Sequence, residues 1–472
     1  MENSLPSSWA HSKIDECFYD LINGTTIAQN ESDGLTVTRI ETIQNSKFDL
    51  SRVKFIKDAE EPIVEKFRYR IGDIAFSHIN SMEHVGKVAL YEGYPEILIH
   101  GMNLLRLRLG HTYISPKYAY YYFLTIKFRE DVRQRVGQAV NQVSINQKNL
   151  KEVPFVLCPL PEQQRIVAKL DALTEKIECS RSRLQKIPNI LKRFRQSILS
   201  AAVSGKLTEE WRERNFQSDE DNTIADLPFS WSWKSVRELA KNERGAIQSG
   251  PFGSNLLHSE FQKQGILAIG IDNVLDGKFS LGKQHRISKI KYDELKKFTA
   301  KPLDVLVTVM ATVGRCCVLP ANIEKAIITK HVYRISCDSV IVNPHFLLHS
   351  LRSSIVEEQV QKEIRGATRP GINGAILKNL MIPLPSISEQ NEIVRKVAEL
   401  LSVADKIEAR YLKAKAQFDK LPQSLLAKAF RGELVAQDPN DEPASVLLER
   451  IKGERQAIQK EMVRSRSKHI VK

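Results

Sequence analysis

The sequence predicts an α+β protein in which two α/β domains are joined by long antiparallel coiled-coil helices, with a pseudo-twofold internal repeat. One helical segment occurs twice, and a less regular segment of similar size precedes each copy. Glu162-Gln163 opens the first copy and Glu389-Gln390 the second, an offset of 389 − 162 = 227. Gly205 and Gly432 keep this offset (432 − 205 = 227). Two such helices in one chain can cover each other's apolar faces.

Apolar residues recur in each copy with alternating steps of four and three, the 3.5-residue period of a supercoiled helix pair. Ser180 is the one clearly polar break in these stripes. Residues 162–203 would span about 60 Å as a helix, which suits a rigid spacer. Pro188 and Pro422 lie inside the stripes, so each repeat is predicted to form two helical segments. The residues expected to pack between the helices are Leu184, Leu191, Phe194, Ile407, Phe418, Leu421 and Leu425.

The two halves share a frame around different middles. The element LPxSW begins each half, at residues 5–9 and 227–231, and residues 144–146 near the end of the first domain match residues 371–373. Short strands are predicted at 35–40, 71–76, 86–91 and 104–109, and a helix at 118–128. A common frame with different middles indicates two modules that bind different things. The predicted domains are 1–155 (first globular domain), 156–207 (first helical repeat), 208–226 (linker), 227–382 (second globular domain), 383–436 (second helical repeat) and 437–472 (C-terminal helix and basic tail).

The charge of the chain indicates a polyanionic partner. The formal net charge is +14 and the sequence pI is about 9.3. No apolar run is long enough to span a bilayer, and residues 1–10 are polar, so nucleic acid is favoured over membrane and a cytoplasmic location is expected. The six cysteines have no CxxC spacing, which predicts buried, reduced thiols rather than a zinc site.

A set of short motifs is repeated in both halves. PLP at 159–161 and 383–385 is followed by EQ, a long helix, Gln-Ser and Gly-x-Leu at 205–207 and 432–434. This set resembles the specificity subunit of Type I restriction-modification systems, and the resemblance covers essentially the whole chain. It implies two target recognition domains that read a bipartite, asymmetric site in double-stranded DNA. It also implies helices that set the gap between half-sites and carry the methylation subunits, with restriction subunits as further partners.

The resemblance implies a subunit without chemistry of its own, and the residues agree with that. No GxxxxGK[ST] phosphate loop and no GxGxxG motif occurs. His331 has no second ligand at helical spacing, so a structural role or a DNA contact is expected for it. We therefore predict no catalytic residue and no metal site, with S-adenosylmethionine, ATP and Mg²⁺ on the partner subunits. The alternatives are a self-contained DNA methyltransferase or nuclease, and a coiled-coil scaffold that would leave the duplicated domains and the charge unexplained.

Two glycine-containing loops at corresponding places, residues 137–142 and 365–371, are the predicted DNA contacts. Arginine, asparagine and glutamine can make paired hydrogen bonds to base edges, although both loops could also simply cap a sheet. The turn at 250–255 is predicted to be mainly structural, with Phe252 in the core. The candidate DNA-binding residues are Gln138, Asn141, Gln142, Arg315, Arg365, Thr368 and Arg369.

The first helical repeat also has a basic run with no acidic residue between positions 178 and 208. Such a run is usually a solvated face, and here it could also lie over the DNA between half-sites or against a partner subunit. Its members are Arg181, Arg183, Lys186, Lys192, Arg193, Arg195 and Lys206.

Overall fold

A computed structural model describes residues 5–57, 59–139, 142–215, 223–224, 227–310, 312–364 and 371–470. For residues 138–139, 223–224, 364 and 458–470 it describes the backbone alone. The chain forms two compact units. The first unit combines residues 1–184 with 414–472, and the second unit spans 185–413. The boundary between the units therefore cuts both helical repeats.

The globular part of the first unit is a set of short strands with helices on its flanks. Its helices are α1 (Ile14–Cys17), α2 (Glu61–Phe67), α3 (Pro116–Phe123), α4 (Ile126–Arg133), α5 (Gln147–Lys151) and the long α6 (Leu160–Leu184). Its strands are β1 (Ala10–Lys13), β2 (Asp20–Asn23), β3 (Leu35–Val37), β4 (Ile43–Gln44), β5 (Lys47–Phe48), β6 (Lys54–Ile56), β7 (Ile74–Phe76), β8 (Ile79–Asn80), β9 (Val88–Leu90), β10 (Leu105–Arg108), β11 (Gly137–Ala139), β12 (Gln142–Ser144) and β13 (Pro154–Leu157).

The remainder of the chain repeats this plan and ends in two long helices. The helices are α7 (Ile187–Val203), α8 (Glu209–Asn215), α9 (Val236–Leu239), α10 (Lys289–Glu294), α11 (Pro344–Leu351), α12 (Ser354–Ile364), α13 (Gly374–Asn379), α14 (Ile387–Ala429) and α15 (Ala444–Ile470). The strands are β14 (Thr223–Ile224), β15 (Leu227–Pro228), β16 (Ser232–Ser235), β17 (Ile247–Ser249), β18 (Ile266–Ile269), β19 (Val274–Leu275), β20 (Lys278–Phe279), β21 (His285–Ile287), β22 (Thr299–Ala300), β23 (Val305–Thr308), β24 (Cys316–Val318), β25 (Ala326–Ile328), β26 (Val332–Ile335) and β27 (Met381–Leu384).

The shared frame predicted from the sequence is present in both units. An antiparallel four-stranded sheet has the order β2-β10-β7-β9 in the first unit and β17-β26-β23-β24 in the second. In each, a strand near the start of the domain pairs with the strand just before the long helix, β1 with β13 and β16 with β27. The smaller sheets differ: the second unit has β21-β18-β25-β22, whereas the first has the three-stranded sheet β11-β12-β8. The two domains therefore share the four-stranded sheet and differ in the smaller sheets attached to it.

Most predicted elements of the first domain are present, in shorter form. The four predicted strands appear as β3, β7, β9 and β10. The helix predicted over 118–128 is instead two helices, because Thr125 caps a new one: its Oγ1 accepts a hydrogen bond of 3.2 Å from the Phe128 N–H. The segment predicted as a linker at 208–226 begins with the helix α8.

The two internal prolines have different outcomes. Pro188 lies in the first turn of α7, after α6 has ended at Leu184, so the first repeat has the two segments that were predicted. Pro422 lies inside the continuous helix α14, so the prediction of two segments was wrong for the second repeat. The helix continues because packing holds it beyond the proline, where Leu426, Ala429 and Phe430 are buried in the first unit's core.

The first unit's core includes the first turns of the last helix, α15. Ala444, Leu447, Leu448 and Ile451 of α15 are buried in the same cluster as the domain's aromatic residues. The basic side chains of the predicted tail from residue 464 lie outside the described residues. Five cysteines are buried, as predicted, but Cys179 is exposed on α6 because it lies off the apolar stripe. Within the described part of the chain, no helix has the length and apolarity needed to cross a membrane.

Candidate nucleic-acid interface

In each unit, several connecting loops leave the four-stranded sheet at one end. Because the sheets are antiparallel, β2 and β7 end where β9 and β10 begin, and β17 and β23 end where β24 and β26 begin. We call this edge the loop end of each domain. Loops presented from a fixed sheet are where binding residues are most often found.

In the first unit, the predicted contact loop is a hairpin at the loop end. Strands β11 and β12 pair with each other, and β12 also pairs with β8, which lies in the turn between β7 and β9. Gln142 is exposed beside the tip of this hairpin. The side chain of Gln138 and the whole of Asn141 lie outside the described residues.

In the second unit, Arg315 also lies at the loop end. It is exposed in the turn between β23 and β24, next to Gly314, whose φ of +84° favours glycine. The predicted contacts Arg365, Thr368 and Arg369 lie outside the described residues. The segment that follows them is held at the same edge, because the Ile372 N–H donates to the Val309 carbonyl at 3.2 Å. The first domain repeats this bond between Ile145 and His78 at 2.9 Å.

The glycine-containing turn at 250–255 also lies at the loop end. The prediction that Phe252 lies in the core was wrong. Phe252 is 57% exposed rather than buried in the core. Its neighbour Gly250 packs so tightly that an added Cβ would lie 2.3 Å from the Ile328 carbonyl oxygen. The backbone of the turn is therefore fixed to the next loop while the phenylalanine points away from the core.

The duplicated Glu-Gln pairs attach each long helix to its domain, a role that the sequence analysis missed. Glu162 accepts a hydrogen bond from the Trp9 indole at 2.9 Å, and Glu389 accepts one from the Trp231 indole at 3.0 Å. Burial raises the pKa of Glu162, against the effect of its hydrogen bonds from Trp9 and Gln437. The signal was available, because LPxSW, which supplies both tryptophans, is itself duplicated.

The glutamines of these pairs connect the same helices to the loops before α3 and α11. The Gln163 side chain accepts from the Ser115 N–H at 2.9 Å and donates to the Tyr113 and Cys158 carbonyls at 3.2 and 3.0 Å. The Gln390 side chain does the same with Asn343, Ile341 and Pro385, at 2.8, 3.0 and 3.0 Å. Each amide therefore satisfies three backbone groups in one buried place.

The glycine that ends each helical repeat contacts the LPxSW element of the other half. Gly205 and Gly432 have φ values of +78° and +76°. An added Cβ would lie 2.4 Å from Pro228 in the first case and 2.3 Å from Pro6 in the second. Each unit thus combines one domain, the start of the helix that follows it and the end of the other helical repeat.

The helices pack antiparallel within each unit. In the second unit, Arg195 of α7 donates to Asp405 at 2.6 Å and Glu408 at 2.8 Å on α14. In the first unit, Arg181 of α6 lies 3.9 Å from Asp419 of the same long helix. These contacts occupy two members of the basic run, while Arg183, Lys186, Lys192, Arg193 and Lys206 are exposed.

The residues expected to pack between the helices have unequal burial. Leu191 is 5% exposed, whereas Phe194, Ile407 and Leu421 are 36%, 41% and 37% exposed. Leu184, Phe418 and Leu425 are partly buried. The apolar stripes are therefore wider than the surface that the paired helices cover.

A family model described as the Type I restriction modification DNA specificity domain matches residues 6–189 and 264–415, more than half of the chain. The chain belongs to this family. It is 36% identical over 326 residues to the specificity subunit of the EcoBI enzyme of Escherichia coli, covering 66% of this chain and 67% of that protein. It is 30% identical over 437 residues to the putative MjaX specificity subunit of Methanocaldococcus jannaschii, covering 91% of this chain and 94% of that protein.

Solved structures of the family have the same fold. A chain in a type I R-M system structure matches with a TM-score of 0.65 at 20% identity, covering 91% of this chain and 100% of that one. The HsdS subunit from Thermoanaerobacter tengcongensis matches with a TM-score of 0.59 at 19% identity, covering 92% and 99%. At these identities the likeness concerns the fold.

As a Type I specificity subunit, the chain recognises a DNA target in a complex with methylation and restriction subunits and is itself non-catalytic. S-adenosylmethionine, ATP and Mg²⁺ belong to those partner subunits. Among the residues that the structure describes, no group of three or more His, Cys, Asp or Glu side chains is placed to hold a metal ion. Asn343, which precedes α11, caps that helix by accepting from the His345 N–H at 2.9 Å.

Proposed function

We propose that this specificity subunit reads a bipartite, asymmetric DNA target, with the loop end of each domain reading one half-site. The supporting observation is that the two domains share one strand order in the four-stranded sheet but carry different side chains at the loop end. Gln142 is exposed there in the first domain and Arg315 in the second. Glutamine suits an adenine edge and arginine a guanine edge, so two unlike half-sites are expected.

The helical repeats fix the gap between the half-sites and hold the methylation subunits. Exposed apolar side chains on these helices support this role, because Ile190 and Phe194 on α7 and Val403 and Ile407 on α14 are exposed at helical spacing. Such residues suit an apolar helix face on a partner subunit. Restriction subunits join the same complex, and the chain acts in the cytoplasm, where its DNA substrate is.

A domain exchange tests modular reading. Replacing residues 236–380 with those of another family member leaves LPxSW and strands β16 and β27 in place. The complex with methylation subunits and S-adenosylmethionine should then methylate a target changed in one half only. The matched exchange of residues 14–153, which leaves β1 and β13 in place, should change the other half. A single exchange that alters both half-sites would contradict this proposal.

The rival function, a self-contained methyltransferase or nuclease, has a direct test. The purified chain alone is incubated with S-adenosylmethionine and DNA, and separately with Mg²⁺ and DNA. No methylation or cleavage is expected until the partner subunits are added. Methyl transfer by the chain alone would establish the rival.

A further inference from the structure

One loop at the loop end has the same position in both domains and lies outside the two predicted contact loops. It lies immediately before the central strand, β10 or β26, and we call its two forms the pre-strand loops, residues 101–103 and 329–331. Asn103 and His331 correspond, because each lies three residues before a buried arginine (106 − 103 = 3; 334 − 331 = 3). Arg106 and Arg334 fix the strands by donating to backbone carbonyls.

Backbone contacts with neighbouring loops fix the first pre-strand loop in place. The Gly101 N–H donates to the Thr38 hydroxyl at 3.1 Å, and an added Cβ on Gly101 would lie 1.7 Å from the Thr38 carbonyl oxygen. An added Cβ on Gly24 would lie 2.0 Å from the Gly101 carbonyl oxygen. A loop fixed in this way loses little conformational entropy on binding.

The second pre-strand loop is also fixed in place, by hydrogen bonds of different residues. The Thr329 N–H and hydroxyl both donate to the Ile269 carbonyl, at 2.9 and 3.0 Å. The His331 carbonyl accepts from the Val309 N–H at 3.1 Å. The Val309 carbonyl also accepts from the Ile372 N–H, so the loop is connected through backbone bonds to the residue that follows the predicted contact loop 365–371.

The side chains that these loops present suit base edges and differ between the domains. Met102 is 49% exposed, and Asn103 has a φ of +70° beside a depression of about 390 Å³ whose polar lining includes Thr26 and Gln29. In the second domain, Lys330 is exposed and His331 is half-buried. An asparagine amide pairs with adenine, a lysine with guanine, and an apolar side chain with the thymine methyl group.

We propose that the pre-strand loops are base-reading elements, with Met102 and Asn103 contacting one half-site and Lys330 and His331 the other. This inference rests on the proposed function. The backbone hydrogen bonds fix where the side chains of each loop lie, and the residue types decide which base is accepted. The same fold can therefore read two unlike half-sites.

The test uses the complex of the full chain with its methylation subunits and a library of duplexes randomised across the target. The methylated duplexes are sequenced for the native complex and for Asn103→Gly and Lys330→Ala. Glycine keeps the left-handed backbone at 103 while removing the amide. Each variant should lower the preference at one or two base pairs of its own half-site by roughly 5- to 150-fold and leave the other half-site unchanged.

Two matched controls lie at the other end of the sheet. Asn45 also has a positive φ and lines a depression with Leu90 and Glu92, so Asn45→Gly makes the same chemical change away from the loop end. Lys241 is exposed and its N–H donates to Ser336 beyond the end of β26, so Lys241→Ala matches Lys330→Ala. Both controls should keep the native preference.

The outcomes are distinguishable. Unchanged preference in both variants, or an equal fall on every duplex as expected for phosphate contacts, would overturn the base-reading role while leaving the proposed function intact. A native complex without any sequence preference would overturn the proposed function itself. If Asn103→Gly fails to assemble, Asn103→Asp decides the question, because it keeps the shape and replaces the amide donor with an acceptor.

Discussion

Glu162 and Glu389 occupy the same position in the two halves, but their surroundings differ in charge. Both are buried and accept an indole N–H. Glu389 also accepts from the Arg212 guanidinium at 2.6 Å, whereas the corresponding oxygen of Glu162 accepts from the neutral Gln437 amide at 2.6 Å. A buried carboxylate without a direct ion pair is disfavoured, so burial raises the pKa of Glu162 against the opposing effects of its hydrogen bonds and of Arg165.

We therefore expect opposite effects from one substitution. The raised pKa of Glu162 means that its favourable contribution is fully present below the unfolded value of 4.5 and is lost as pH rises through the folded value. At pH 7, Glu162→Gln should keep or increase the free energy of unfolding, since Gln437 can turn its amide to pair with the new side chain. Glu389→Gln leaves Arg212 without its carboxylate and should cost about 1.5–3 kcal/mol.

Denaturant unfolding of both variants from pH 8 down to pH 4.5 measures this difference. The advantage of Glu162→Gln over the native chain should shrink as pH falls through the folded value of Glu162 towards 4.5. Equal losses in both variants at pH 7 would show that the two carboxyls have equivalent environments.

At the scale of elements, the two helical repeats differ at their prolines. Pro188 lies in the first turn of α7, where an N–H would have no partner within the helix. Pro422 lies inside α14, where it removes one backbone hydrogen bond and its ring crowds the preceding turn. Buried residues on both sides, Ala404 before it and Ala429 after it, hold α14 helical across this position.

Pro422→Ala should consequently raise stability, by up to about 3 kcal/mol, because it restores the missing bond without removing core packing. Pro188→Ala is the matched control and should give no comparable gain. Thermal and denaturant unfolding of the two variants distinguish them. A destabilised Pro422→Ala would indicate that the proline ring itself is a packing element of the first unit.

For the whole molecule, the first unit depends on both ends of the chain. Residues 1–184 fold with 414–472, and Ala444, Leu447 and Leu448 of α15 belong to its core. The second unit is one continuous stretch, 185–413, and among its described residues the apolar cluster around the four-stranded sheet extends along the chain as far as Val397, Leu400 and Leu401. Loss of the C-terminal helix should thus affect the units unequally.

Truncation after residue 443 should expose the first unit's core and leave the second unit folded. Hydrogen exchange of the full chain and the truncated chain measures this by unit: protection should fall in β1, β13 and α3 and persist in β23 and β26. A loss of equal size in both sheets would contradict the separate cores. The single substitution Leu447→Ala should cause the same pattern, at about 2–5 kcal/mol, without removing a segment.

The position of two candidate contact residues could be predicted from the sequence, whereas the pre-strand loops and the exposure of Phe252 could not. The shared frame marks where loops leave the sheet, and Gln142 and Arg315, named on that ground, both lie at the loop end, while their contact with DNA stays a prediction. Of the pre-strand loops, only His331 was assigned a role from the sequence, as a structural residue or DNA contact, because three residues have no periodicity to read. Phe252 was assigned to the core by its apolar type, but burial depends on what a turn faces, and residue type does not determine that.

The sequence by itself determined the duplication, the helical repeats and the family, because these depend on spacing and residue type along the chain. Only the tertiary structure decided that each unit takes its helices from both repeats, that Glu162 and Glu389 bind tryptophans from LPxSW, and that Pro422 stays within one helix. The physical reason is that periodicity shows which residues share a face. What that face packs against is settled by contacts between residues hundreds of positions apart.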